Sequence, residues 1–386
     1  MTQDPTPSES ASNGTAIDSW LHAVVHSEDL GDHIRAQLRS EIPPLLSWIV
    51  RGGCAVQCEH CIFPFEGPKG YSERLSAEVL ISVLEQLTGS GHLVHEGRQL
   101  LPHQVPVLAA IKRAGYSVSV INNGQYVTPA MLSLCEREGL EIDTLDVSVD
   151  GTERTHNAQR ASQQAYAWAM KGLTNARRLV SPTGKVTSLY TLSSLNCDDV
   201  RETGEMLAPL VDEWHLTTMS LRPGLEHMRA DERELTKALE QLLGSTWERP
   251  VFLRTYSLAD FVVLLQILGK ETARKALSNA MVEYNAIVLD VGIPLYFYPK
   301  SLQVNETLVV DADGWWRVPF CIQHSLEDLQ RGTDAKGNDL SHFSIARVSE
   351  ELDVPTVFAE TAEKWWRAIG KESFSAELAT VQRFLG

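Results

Sequence analysis

Three cysteines stand within eight residues, Cys54-Ala-Val-Gln-Cys58-Glu-His-Cys61. A C-x3-C-x2-C spacing puts three thiolates on one short loop, where each can ligate one iron of a cubane iron–sulfur cluster. The fourth iron is then left without a protein ligand and stays open to a small molecule. An open position separates a metal centre that does chemistry from one that only braces a fold, as it does for zinc. Zinc is the other chemistry this triplet offers, with His60 or a more distant side chain as the fourth ligand. Zinc knuckles usually come as two C-x2-C pairs, however, and here a triplet follows directly on an apolar stretch.

The elements that must position this loop are legible from the pattern around it. Leu46–Val50 reads as a strand leading into the cysteines, and from there strands and helices alternate. Strands are expected at 92–96, 117–121, 144–149, 185–192 and 213–221, with helices at 76–87, 103–114, 129–138, 163–180 and 198–210 between them. Parallel strands need such crossovers, so the repeated unit implies a parallel sheet. Six units fall short of a closed eight-fold barrel. The fold class is therefore α/β, a partial (β/α)6 TIM-like barrel over 46–225 with a C-terminal α+β extension over 226–386. In that extension helices are expected at 231–244, 258–268, 271–284 and 359–384, and a β-rich stretch at 287–318 with Asp313-Gly314 as its hairpin turn. Residues 1–17 read as a disordered lead-in rich in small polar residues, and 18–45 as a helical segment stopped by Pro43-Pro44.

Composition narrows the class of function. Of 386 residues, 43% are hydrophobic and 22% charged, which suits a large core. Lys and Arg number 34 against 50 Asp and Glu, a net charge of −16, which makes nucleic acid an unlikely partner. No apolar run approaches the roughly 18 residues that cross a bilayer, and the N-terminus does not resemble a secretory signal. Only six cysteines occur, too few for a disulfide framework, which points to a reducing, cytoplasmic setting.

The C-x3-C-x2-C loop after the first strand, followed by β/α alternation, resembles the radical S-adenosylmethionine superfamily. The resemblance implies a 4Fe-4S cluster on Cys54, Cys58 and Cys61, and S-adenosyl-L-methionine bound to the open iron. One electron from an external flavodoxin- or ferredoxin-type donor then cleaves the C5′–S bond, and a 5′-deoxyadenosyl radical takes hydrogen from a substrate. Glu96-Gly97 stands where the family has a Gly-Gly-Glu-Pro-like turn, in altered order, and Glu96 is expected at the cofactor's amino group. Asn122-Asn123-Gly124 takes the place of a Thr-Asn-Gly turn, and either amide could reach the cofactor. Leu145-Asp-Val-Ser-Val-Asp-Gly151 and His156-Asn-Ala-Gln-Arg160 resemble the branch that modifies peptides and matures sulfatases. There Ser148 is expected at the ribose or amino acid of the cofactor and Arg160 at its carboxylate. Ser193, after the fifth strand, is a further polar strand-end candidate, or a helix cap.

Many members of that branch carry auxiliary clusters in SPASM- or Twitch-type extensions. Here Cys135, Cys197 and Cys321 are too few and too scattered for one, although Val309–Cys321 looks like the hairpin that opens such an extension. Cys321 is a buried small hydrophobe, a hydrogen-atom donor to a substrate radical, or a vestigial ligand. Without an auxiliary electron acceptor, a redox-neutral outcome such as epimerisation, elimination or rearrangement is favoured. The substrate is read as a specialised metabolite, sugar or nucleoside, because the residues before the first strand are too few for a peptide-binding domain. A peptide-modifying enzyme and a non-catalytic iron–sulfur or zinc protein are the alternatives. His92, His95 and His103, clustered around the second strand, read as rim or surface polar groups.

Overall fold

Strand alternation sets one face of the sheet against helices and leaves the other for chemistry. The structure, a computed structural model, describes residues 100–219 without interruption. It also describes 45–50, 54, 56, 58–61, 76–86, 91–97, 225–283, 286–298, 307–311, 315–317 and 346–347. The two expected N-terminal segments, the helix at 359–384 and Cys321 lie outside these residues, apart from Leu45.

The strands are β1 (Leu45–Val50), β2 (His92–Gly97), β3 (Ser117–Asn122), β4 (Ile142–Ser148), β5 (Val180–Leu192), β6 (Glu213–Thr218) and β7 (Val251–Thr255). Beyond them come β8 (Met281–Glu283), β9 (Ala286–Asp290), β10 (Pro294–Phe297), β11 (Thr307–Asp311), β12 (Trp315–Arg317) and β13 (Ala346–Arg347). All join one sheet in the order β13-β12-β11-β1-β2-β3-β4-β5-β6-β7-β10-β9-β8. From β11 through β1–β7 to β10 every neighbouring pair is parallel. The two ends of the sheet do not pair among the described residues, so the architecture is a partial barrel.

The helices are α1 (Ala77–Gln86), α2 (Val105–Arg113), α3 (Pro129–Glu138), α4 (Glu153–Gln159) and α5 (Ala165–Ala176). They continue as α6 (Val200–Leu207), α7 (Glu232–Leu243), α8 (Leu258–Leu268) and α9 (Lys270–Ser278). Local chemistry starts several of them. Thr128 Oγ1 accepts from Met131 N ahead of Pro129 in α3, and Ser257 caps α8. Asp231 and Glu234 form a reciprocal capping box on α7.

Leu145, Val147 and Val149 of the β4 segment, Val118 and Val120 of β3, and Trp214 and Leu216 of β6 are fully or nearly buried in the layer shared with the helices. Each such side chain contributes about 1.5–3 kcal/mol on burial. Intervening residues, among them Asp146, Ser148, Thr187 and His215, face the other side, the barrel interior.

The sheet runs on past residue 225, beyond the six strands expected. Val251–Thr255 adds β7 in parallel, and β10 and β11 extend the sheet at its two ends. The expected helix 163–180 is α5 alone, because Val180 already begins β5. The expected helix 271–284 ends at Ser278, and Met281–Glu283 pairs antiparallel with β9. β11 pairs antiparallel with β12, and the turn expected between them at Asp313-Gly314 lies outside the described residues.

His95 is a core residue, not a rim one. It is fully buried, its Nε2 donates to Gln104 Oε1 at 2.9 Å, and its ring meets Trp48 edge-on at 5.5 Å. The odd positions of β2 face the helices, so a polar residue there must find a partner inside the core. Cys135 and Cys197 are likewise buried among apolar side chains, and burial pushes the Cys197 thiol up to about 12.

Candidate functional site

The carboxyl ends of β4 and β5 are tied together by a buried polar network centred on Asp150. Its carboxylate has no exposed area; Oδ2 accepts from Arg160 Nε at 2.5 Å and Oδ1 from Thr191 N at 2.8 Å. Its backbone is held as firmly. The amide donates to His156 Nδ1 at 2.8 Å, and the carbonyl accepts from Asn196 Nδ2 at 2.9 Å. Burial alone would raise the Asp150 carboxyl, but the charges of Arg160, His60 and His156 outweigh it and hold it below the usual carboxylate value. For His156, burial and then Arg160 lower the imidazole to about 4, which keeps Nδ1 bare as an acceptor.

The turn after Asp150 requires glycine. Gly151 has φ +135°, and a Cβ there would lie 2.2 Å from Thr155 Oγ1. That hydroxyl is itself fixed, donating to Asp199, which also accepts from Thr152 Oγ1 at 2.8 Å. The turn directs α4, and with it Arg160, back across the strand ends.

From there Arg160 reaches the cysteine loop. Its Nη1 points at Cys58 Sγ, 3.9 Å away, and Asn123 Nδ2 points at Cys54 Sγ, 3.6 Å away. Within the loop Cys61 N donates to Cys58 O at 3.1 Å. All three thiols are half-buried and free of disulfides. Burial pushes the Cys58 thiol up to about 11 despite the nearby Arg160, and a bound metal charge would lower it. Nitrogen donors aimed at two of the sulfurs are the environment of a cluster ligand. No three His, Cys, Asp or Glu side chains among the described residues close on one point as a single metal ion needs; a cubane, with one thiolate per iron, does not require that. His60 Nε2 lies 4.0 Å from Asp150 Oδ2, directed at the network. Three thiols on one short loop, with an amide and a guanidinium donor beside two of them, fit a cluster.

Of the other candidates, Asn122 organises its own turn. Its Oδ1 accepts from Gly124 N at 2.6 Å and its Nδ2 donates to Asp146 O at 3.1 Å. The neighbouring Asn123 is the amide that meets the loop. Ser148 ends β4 half-buried on the interior side. Glu96 and Gly97 end β2, with Glu96 in register between Ile49 and Ile121. Ser193 is fully buried, its Oγ donating to Gln159 Oε1 at 2.5 Å and accepting from Leu195 N. Sequence reasoning passed over Asp150, His156 and Gln159 as functional supports. The Asp-Gly pair and the His-x3-Arg spacing were the available signals.

A three-cysteine loop beneath the carboxyl ends of a partial parallel barrel defines a radical S-adenosylmethionine domain. Residues 48–207 match the family model of the Radical SAM superfamily. The domain takes a 4Fe-4S cluster and S-adenosylmethionine as cofactors. No curated protein sequence matches the chain. Among solved structures, the chain is similar to SuiB of Streptococcus suis, with a TM-score of 0.52 and 11% identity over 82% of this chain and 66% of that one. SuiB bound to its precursor peptide SuiA gives 0.53 and 10% over 85% and 67%. Native anSMEcpe with bound AdoMet gives 0.50 and 12% over 86% and 82%. At these identities the likeness is one of fold, and the chain spans just under two thirds of the first SuiB chain. No helix among the described residues is long and apolar enough to cross a membrane.

Proposed function

We propose that this chain is a radical S-adenosylmethionine enzyme whose substrate enters the barrel interior above the cysteine loop. The observation that carries the reading is the convergence of Cys54, Cys58 and Cys61 with Asn123 and the Asp150-held Arg160 at the strand ends. When bound, cluster and cofactor supply a one-electron cleavage of the C5′–S bond and a carbon-centred radical able to take hydrogen from the substrate. The protein's part is to bind, orient and exclude water.

Cys54, Cys58 and Cys61 hold the cluster, and Asn123 and Arg160 lend donors to two of its sulfurs. Arg160 would also pair with the cofactor's carboxylate, Glu96 would take its amino group, and Ser148 its ribose or amino acid. Gly97 is the companion backbone position at the end of β2. Asn122 and Ser193 act one step back, holding the turn and loop that carry these groups. The electron comes from an external flavodoxin- or ferredoxin-type donor. A small molecule is the preferred substrate class, with hydrogen abstraction leading to a redox-neutral outcome such as epimerisation, elimination or rearrangement. A peptide is the second reading, prompted by the SuiB structure solved with SuiA.

Anaerobic reconstitution tests the assignment. The wild type is expected to retain about four irons per chain, and S-adenosylmethionine should alter the electron paramagnetic resonance spectrum of the reduced cluster. Bound zinc, or a cluster spectrum indifferent to S-adenosylmethionine, would favour a non-catalytic metal protein.

A further inference from the structure

The far side of the barrel mouth carries a charged group that neither the cluster nor its supporting network uses. In β7, Val251, Leu253 and Thr255 are buried on the helical side, so Phe252 and Arg254 face the interior. In β10, Leu295 and Phe297 are buried, and Phe297 stacks on Phe261 of α8 at 4.2 Å. Tyr296 therefore shares the interior face with Arg254, its register partner, and Thr217 of β6 flanks Arg254 from the other side. All three lie near the carboxyl ends of parallel strands, where α/β sites gather. Strands β5 and β6 separate Arg254 and Tyr296 from the Asp150 end of β4.

Arg254 is short of partners. Its Nε is buried without a hydrogen bond, and its guanidinium forms no ion pair among the described residues. The carboxylates on the same face are committed elsewhere. Asp146 accepts from Thr187 Oγ1; burial raises its carboxyl against the nearby charges of His215 and Arg254, and it makes no ion pair with Arg254. Glu213 is held by His215 at 3.2 Å and Lys185 at 2.5 Å. An always-charged guanidinium with an unused, desolvated donor calls for an anion.

Flat rings lie along its face of the sheet. Phe252 stacks on His215 at 4.7 Å, and Tyr256 on Tyr298 at 4.8 Å with the planes 18° apart. Tyr296 lies nearly parallel to Tyr298, 6.3 Å away. Aromatic faces beside a cationic fork suit a ligand with an unsaturated or ring-shaped body and one acidic end.

We propose that Arg254 anchors the anionic group of the substrate, a carboxylate or a phosphate, and that Tyr256, Tyr296 and Tyr298 form the wall against which the rest of that substrate lies. The proposal rests on the reading of the barrel interior as the reaction chamber, and it gives the substrate a chemical class.

Ligand-observed NMR on the cluster-loaded full chain tests it with three probes: benzoate, phenyl phosphate and the neutral benzyl alcohol. One anionic probe is expected to bind more tightly than benzyl alcohol, and Arg254→Met should weaken it by about tenfold or more. Arg254→Lys should recover part of the loss, which separates anchoring from misfolding. A preference for benzoate assigns a carboxylate, and one for phenyl phosphate assigns a phosphate. Equal binding of all three probes, or anion binding untouched by Arg254→Met, overturns the proposal. If the wild type cleaves S-adenosylmethionine yet shows no anion preference, the anchor alone fails. If the anion binds at Arg254 and no cleavage occurs, the anchor stands and the reading of the chamber as radical chemistry fails.

Discussion

Among the described residues Asp150 bonds to no sulfur, yet it fixes Arg160, the cation that reaches the cysteine loop. Its partner Arg160 has only 12% of its side chain exposed, so removing the carboxylate leaves a nearly buried, unpaired guanidinium. Breaking such a pair from one side costs about 3–5 kcal/mol, and Asp150→Asn is expected to lower the stability of the cluster-free chain by that order in urea denaturation. Asp150→Glu, one methylene longer, should recover charge without geometry and fall between. His95 offers a pH test, on the helix-facing side of β2. Burial lowers its imidazole to about 4 from the ordinary 6.5, while its bond to Gln104 works against the shift. The unfolded chain takes up this proton as pH drops below 6.5, whereas the folded chain resists until about 4. Stability from this group is therefore complete above 6.5 and lost progressively from 6.5 down to 4, by about 3 kcal/mol. His95→Gln should flatten that part of the stability profile, and an unchanged slope would exclude the role.

Elements bring the site together through close backbone approaches. Gly124 has φ +80°, and a Cβ on it would lie 2.7 Å from the backbone of Ala169 in α5. Gly124→Ala should therefore push the β3 turn off α5, carry Asn123 away from Cys54, and cost about 2 kcal/mol or more; melting temperature and iron retention would both report it. Unchanged iron retention would mean that Asn123 does not help hold the loop. Strands β3 to β6 were legible because apolar and polar residues alternate cleanly in them, as in Leu145-Asp-Val-Ser-Val. Helix α4 was not, because its buried residues Thr155, His156, Asn157 and Gln159 are all polar and leave no apolar stripe. β7 was missed for another reason: five residues directly after Pro250 give too short a run for alternation to stand out from a loop. The cysteine loop was plain from spacing alone. Its support was not, because Arg160 stands 102 residues from Cys58 and only the fold makes them neighbours. Which of the adjacent Asn122 and Asn123 meets a sulfur depends on the turn, which composition does not encode.

At the scale of the whole molecule, a parallel sheet from β11 through β7 to β10 places two polar centres on one mouth. One is the cysteine loop with Arg160, and the other is Arg254 among tyrosines. The net charge of −16 disfavours a polyanionic partner but leaves room for a single acidic group at a local cation. The most direct test of the central claim is the yield of 5′-deoxyadenosine when anaerobically reconstituted protein is given S-adenosylmethionine and dithionite. The wild type should form it, and the triple variant Cys54→Ala, Cys58→Ala, Cys61→Ala should form none. A wild type that carries its cluster and yields no 5′-deoxyadenosine above the triple variant would contradict the account.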